Sequence, residues 1–430
     1  MAVSACAVFG RPVQRSRAAR TGRTTNWRRL LWGRLMVAFL GAMLAAACTT
    51  RTIVPNVGVV AQAPAIGAQE LPRPPRPAVD QFGRQISPDA VRVGMLLPLT
   101  GPTGELGQAM LNAAEMALRD AAGPDFELIP FDTGGTATGA RLAAQNAIGQ
   151  GTELILGPLF SSSVRPAAEV AAPYGVNLIA FTTDASVAGG NVYVMGFLPS
   201  QQVERIVAYG AQRGVNRYAV LAPNTAYGNL IASTMSSVTP RYGASVTVNR
   251  SYPAEARDYS PQVESLAASA GSFDAIMLPD VGLRLRQVAP LIPFYGMRDT
   301  QIVGTGQWDG AGVNIEPALH GAWYAAPSPD LRVAFDAQYE ERYGGPPPRL
   351  VTLAYDGVAL AVSLSRGATA GTARFDSFGL TNPDGFVGLD GPFRFDVNGR
   401  SERGLAVLEV TEEGPVVIDP APSSFGGFGL

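Results

Sequence analysis

Two hydrophobic periods alternate along this chain. The stretch "VRVGMLLPL", from Val91 to Leu99, is a nearly continuous apolar run, as a strand covered on both faces requires. In "ELGQAMLNAAEMALRDA" the apolar residues return every three or four positions, the spacing of an amphipathic helix, and Gly123-Pro124 closes it. The signals then repeat. "FELIPFD", "ELILGPL" and "VNLIAF" read as strands, with "ATGARLAAQNAIGQ" and "VRPAAEVAAPYG" as the helices between them. After Leu198 the pattern restarts with helix "QQVERIVAYGAQRG", strand "RYAVLAP", helix "YGNLIASTMSSVTPRYG" and strand "SVTVNRSY". Helix "YSPQVESLAASAG", strand "FDAIMLPD", helix "LRLRQVAPLIPFYG" and strand "TQIVGTG" complete the second series. Strands separated by helices of this length predict βαβ units, so the fold class expected is α/β with two doubly wound parallel sheets in tandem.

The last third changes character. Pro329 to Gly367 reads as two helices separated by a Gly-Pro break. The segment "GPFRFDVNGRSERGLAVLEVTEEGPVVI" reads as antiparallel strands, with Asn398-Gly399 as a hairpin turn.

The first ninety residues carry neither period. Eight arginines between Arg11 and Arg34 precede "LMVAFLGAMLAAA", an apolar run over residues 35–47. That run is shorter than the ~20 residues a bilayer span needs, and matches the apolar core of a secretory signal. Cys48 follows it directly, placed as in a bacterial lipobox, where the cysteine is lipidated and becomes the new N-terminus. Ordinary signal cleavage near Ala47 is the alternative. Removal of residues 1–47 leaves Cys48 as the one thiol, so no intramolecular disulfide can form, and lipid attachment would occupy it. Residues 48–90, rich in Pro, Ala and Gln, read as an extended tether.

Composition narrows the chemistry. The chain has 430 residues, 47% hydrophobic, and all 33 basic residues are arginine. Beyond the basic start, 25 arginines face 35 acidic residues, a balance that argues against a nucleic-acid partner. Without lysine there is no P-loop lysine, Schiff base or Ser-Lys nucleophile. One histidine, His320, and one mature cysteine make a His/Cys metal site untenable, and no Gly-x-Ser-x-Gly elbow occurs. His320 is expected to be structural. No cofactor and no catalytic residue is predicted.

Ligand contacts in such sheets come from the loops at the C-terminal strand ends. In the first series these carry Thr100, then Ser161, Ser162 and Ser163, then Thr182 and Thr183. In the second they carry Asn224, Thr225 and Tyr227, then Asp280, then Gln307, Trp308 and Asp309. One serine in "ILGPLFSSSVRPAA" would suffice as a helix cap; three have two readings, a small-residue turn with no function or a polar cradle for a ligand's carboxylate or carbonyl at a helix start.

The order of "VGMLLPLTGPTGELGQAMLNAAEMAL", "ILGPLFSSSVRPAAEVAAPYGVNLIAFTT", "YAVLAPNTAYG", "FDAIMLP" and "YGGPPPRLVTLAYDGVALAVSL" resembles the leucine-binding protein family, over Val91 to Ile418. The resemblance implies a class I periplasmic binding fold: two Rossmann-like lobes, joined by three crossovers, that close on a small polar solute such as an amino acid and deliver it to an ABC permease. It places residues 91–200 and 324–376 in one lobe, 201–323 and 377–418 in the other, and 419–430 in a tail. It implies that Ser161 meets a ligand carboxylate with Ser162 and Ser163 in support, that Thr182 and Thr183 line that lobe, and that Tyr227 covers the ligand from the other. The chain departs from the family near "VGTGQWDG", where amino-acid receptors present a carboxylate to the ligand's ammonium. Here stand Gln307 and Trp308, with Asp309 one step further on. "FDTGG", "GFLPSQQVERIVAYGAQRG" and "GFVGLDGPFRFDVNGRSERGLAVLEV" also look like lipoproteins of this fold that activate penicillin-binding proteins. That branch implies a protein-docking role instead. Either way the expected location is the periplasm, on a lipid anchor.

Overall fold

The computed structural model describes residues 71–72, 75, 77–367 and 374–425. The export segment and Cys48 lie outside the described residues. Strand β1 (Val91–Leu97) is buried at every position, so its side chains need apolar partners on both faces. It pairs in parallel with β2 (Phe126–Asp132) and β3 (Leu154–Leu156); β4 (Asn177–Ala180) and β5 (Val192–Val194) complete a sheet of order β2-β1-β3-β4-β5. One face is covered by α1 (Gly104–Ala121), whose Met110, Met116 and Leu118 join the core. The other is covered by α2 (Ala137–Gly149) and α3 (Ser161–Ala171), through Ala144, Ile148, Val164 and Ala168.

The second sheet repeats the plan. Its parallel part comprises β6 (Arg217–Pro223), β7 (Ser245–Tyr252), β8 (Ala275–Met277), β9 (Gln301–Gly304) and β10 (Trp323–Ala326), in the order β7-β6-β8-β9-β10. Helices α4 (Pro199–Gln212) and α5 (Ala226–Val238) cover one face. Helices α6 (Ser260–Ala267), α7 (Gly282–Val288) and the short α8 (Leu291–Phe294) cover the other. The apolar stretch from Leu283 predicted one helix; Pro290, which lacks an N–H to continue the ladder, stands between the two observed.

The last third distributes itself between both sheets. Helices α9 (Val333–Tyr343) and α10 (Val351–Gly367) pack on the first core through Phe335, Tyr339, Leu353 and Val358. The four-residue α11 (Ser377–Leu380) follows. Strands β11 (Phe386–Gly388), β12 (Gly391–Phe395) and β13 (Ser401–Arg403) form a small antiparallel sheet, and Phe393 and Phe395 enter the first core as well. Only β14 (Ala406–Thr411) and β15 (Gly414–Asp419) join the second sheet, beside β10.

Two expected lobe boundaries therefore move. Residues 377–403 fold with the first lobe, not the second, because the β12–β13 turn docks on the β5 edge: the Val194 N–H donates to Gly399 O at 2.7 Å. Gly399, at φ +77, has no room for a Cβ, which would meet Val192 O at 2.3 Å. Trp323–Ala326, assigned to the first lobe in part, is β10 of the second sheet. The crossovers fall at 195–198, 327–332 and 404–405.

The tether is also shorter than expected. From Val79 the chain is folded: Asp80 is buried and accepts from the Arg84 N–H at 2.8 Å, and Arg84 Nη2 donates to Gly123 O at 2.8 Å, at the end of α1. The carbonyls left over at a helix C-terminus explain what the arginine does there.

Candidate functional site

In the first sheet the chain leaves β1 toward β2 on one side and toward β3 on the other. The C-terminal ends of β1 and β3 thus flank the switch point where open α/β sheets take ligands. Thr100 stands after β1. Its Oγ1 donates to Asp132 Oδ2 at 2.5 Å, while the Leu99 and Gly134 N–H groups both donate to Asp132 Oδ1 at 2.8 Å. Burial raises the affinity of Asp132 for a proton, but these donors outweigh it and hold the carboxyl below its usual range. Thr100 is accordingly tied into the loop that Asp132 shapes.

The serine triplet lies inside helix α3. The position before the first turn is Phe160, whose side chain offers no cap, and Ser161, Ser162 and Ser163 are the first three helical residues. By contrast α2 and α5 are capped in the ordinary way, by Thr136 on the Gly139 N–H and Thr225 on the Gly228 N–H, at 3.0 and 3.1 Å. Phe160, and not a serine, thus holds the cap position of α3. Ser162 is exposed and Ser161 half-buried, whereas Ser163 is 1% exposed and its Oγ has no hydrogen-bond partner among the described residues. A buried hydroxyl without a partner costs free energy, and a helix start supplies a positive end beside it. After β4, Thr182 is buried and accepts from the Asp184 N–H at 3.2 Å, and Thr183 is exposed.

In the second sheet the switch lies between β6 and β8. Tyr227 is half-buried in the first turn after β6, and its hydroxyl donates to Thr305 Oγ1, after β9, at 2.9 Å. The ring thereby reaches across the end of β8. Burial pushes its hydroxyl up to about 12, with the bond to Thr305 opposing, so it is a neutral donor and acceptor. Gln307 is exposed.

Two predicted residues are placed elsewhere. Trp308 is 1% exposed, packs in the second core over Gly304, and donates its indole N–H to Asp280 O at 2.9 Å. It is a core residue. Asp280 is also buried: its carboxylate accepts from Tyr252 Oη at 2.6 Å and from Arg284 Nε and Nη2 at 2.6 and 2.8 Å. Both hold the strand ends in shape and present no free polar group. His320 is exposed, with Nε2 2.8 Å from Asn314 O.

Asp309, adjacent to the predicted pair, is not available to a ligand. Its side chain is 1% exposed and accepts from Arg332 Nη1 at 2.9 Å and from Arg349 Nε. These partners are 23 and 40 residues away, so no local signal announced them. Among the described residues no group of His, Cys, Asp and Glu is arranged to hold a metal.

Each doubly wound sheet thus carries polar side chains beyond its switch point, hydroxyls in the first and Tyr227 in the second. The chain belongs to the periplasmic binding protein family, which matches residues 90–415. It is similar to the Leu/Ile/Val-binding protein BraC3 of Rhizobium johnstonii, 26% identical over 57% of this chain and 71% of that one. It is also 24% identical to an uncharacterized protein of Rickettsia prowazekii, of whose length it spans less than half, 43%, through 38% of its own. Among solved structures, a putative branched-chain amino acid ABC transporter protein from Rhodospirillum rubrum superposes with a TM-score of 0.68, at 22% identity, over 76% of this chain and all of the other.

Proposed function

We propose that this protein is a non-catalytic solute receptor that closes its lobes on a small carboxylate-bearing solute, an amino acid or a close relative, and hands it to an ABC permease. The observation that carries this is the first turn of α3, at the switch point of the first sheet: none of its three serines is the cap, and one has a buried hydroxyl without a partner among the described residues. A carboxylate at that turn would accept from hydroxyls and backbone N–H groups together, and Tyr227 is the covering residue of the second lobe. The branched-chain amino acid names of the relatives support the same class of solute. In this reading Cys48 carries the lipid that holds the receptor in the periplasm.

Thermal melting against a panel of amino acids, aromatic acids and muropeptides tests it. A solute at 100 times its Kd adds about 2.7 kcal/mol, a shift of roughly 4 °C for a folded body of this size. The shift should vanish in Ser161→Ala with Tyr227→Ala. A flat response across the panel would overturn solute capture and leave the docking role on penicillin-binding proteins as the reading to pursue.

A further inference from the structure

All three crossovers of the fold meet one cluster of buried charge. Arg349 stands at the entry to α10, in the first lobe, and its guanidinium is fully engaged. Nε donates to Asp309 of the second lobe, Nη2 to Asp390 of the β11–β12 turn at 2.8 Å, and Nη1 to Thr352 Oγ1 at 3.1 Å. The two carboxylates are each 1% exposed at the side chain, and Arg349 17%. The arginine also stacks 4.4 Å from the ring centroid of Phe197, in the first crossover. On that ring Arg403, which leads into the third crossover, stacks as well, at 4.9 Å, and its Nη2 donates to Met195 O at 3.0 Å. Arg332, in the second crossover, takes the remaining side of Asp309 through Nη1 and Nη2, at 2.9 and 3.2 Å.

We propose that Arg349 is the interlobe brace of this protein: by holding Asp309 of one lobe and Asp390 of the other on a single planar fork, it pins the junction about which the lobes turn. Three separate strands of chain would otherwise bend independently, and the lobes would have several ways to open. A planar guanidinium with five fixed donors can serve two carboxylates in set directions, which an ammonium cannot. Buried carboxylates do not release such a partner cheaply: without Arg349, Asp390 would lose its ion pair and Asp309 would keep Arg332 alone. The two stacking contacts on Phe197 bring the first crossover into the same unit. The brace is independent of what the cleft binds.

Hydrogen exchange of the full chain, without added solute, reads the brace directly. In Arg349→Gln and, separately, in Asp309→Asn, amides at 195–198, 328, 330–332 and 404–405 should exchange roughly tenfold faster or more, while those of β1 and β6 stay as in the unaltered protein. Arg349→Lys should restore little, since it keeps the charge and loses the fork. Unchanged exchange at the crossovers in both Arg349→Gln and Asp309→Asn would overturn the proposal. So would an equal rise across the cores, which would make the cluster a general support of the fold.

Discussion

Asp356 offers the sharpest test of the electrostatics beneath the junction. It lies on α10, 1% exposed, with Oδ1 accepting from the Leu389 N–H at 2.7 Å and Oδ2 without a hydrogen-bond partner among the described residues. Gly388 lies flat against it; a Cβ there would fall 2.3 Å from Oδ2. Burial, reinforced by the charge of Asp390 and opposed by Arg403, pushes its carboxyl up to about 7. A folded-state pKa above the ordinary 3.8 means that the group's contribution to stability is fully present below about pH 4 and is lost as pH rises through 7. Between pH 5 and pH 8 that loss amounts to about 2–3 kcal/mol, at roughly 1.4 kcal/mol per pH unit over which the folded state alone stays protonated. Asp390, depressed by Arg349 and Arg403 against its burial, acts in the opposite sense and only below pH 4, outside this window. Asp356→Asn should therefore gain on the unaltered protein by about 2–3 kcal/mol between pH 5 and pH 8 in urea denaturation. The pH-independent cost of the amide cancels in that comparison. An equal difference between the two proteins at both pH values would mean that Asp356 keeps one charge state in the folded protein across this range.

Two substitutions separate core from site. Trp308→Ala should cost about 3–5 kcal/mol, because it empties a fully buried indole position and leaves the Asp280 carbonyl without its donor; an unchanged melting temperature with loss of a solute response would return Trp308 to the cleft. Ser163→Ala should leave stability unchanged or raise it by up to ~1 kcal/mol, since it removes a buried hydroxyl with no partner, while weakening the solute-induced thermal shift. A loss of stability in solute-free Ser163→Ala would show that the hydroxyl has a structural partner.

The elements of both parallel sheets were legible wherever a full period was long enough to count. "FELIPFD" and "RYAVLAP" coincide with β2 and β6 residue for residue. The three-residue β5 and β11, and β10 at four, were missed; β3, β4, β8 and β9 are just as short, but each of those follows a predicted helix in the strand–helix rhythm, and the three missed strands do not. The hydroxyls at the ends of β1, β3 and β4 were legible too, because the loop after a parallel strand is a position fixed by topology. Their state was not: that Phe160, and not a serine, sits at the cap position of α3 depends on where the chain turns out of β3.

The α/β class, the two winding series, the switch-point loops and the family follow from the order of residues alone, since each rests on periodicity or on the succession of short segments. Tertiary structure alone decided which lobe residues 377–403 join, that Trp308 and Asp280 are buried supports, and that Asp309 is held by Arg332 and Arg349. These outcomes depend on pairings across tens to hundreds of residues, such as Val194 with Gly399 and Arg403 with Met195. A polar side chain at a strand end is equally suited to meet a ligand or a distant arginine, and only the folded chain brings one of them within reach.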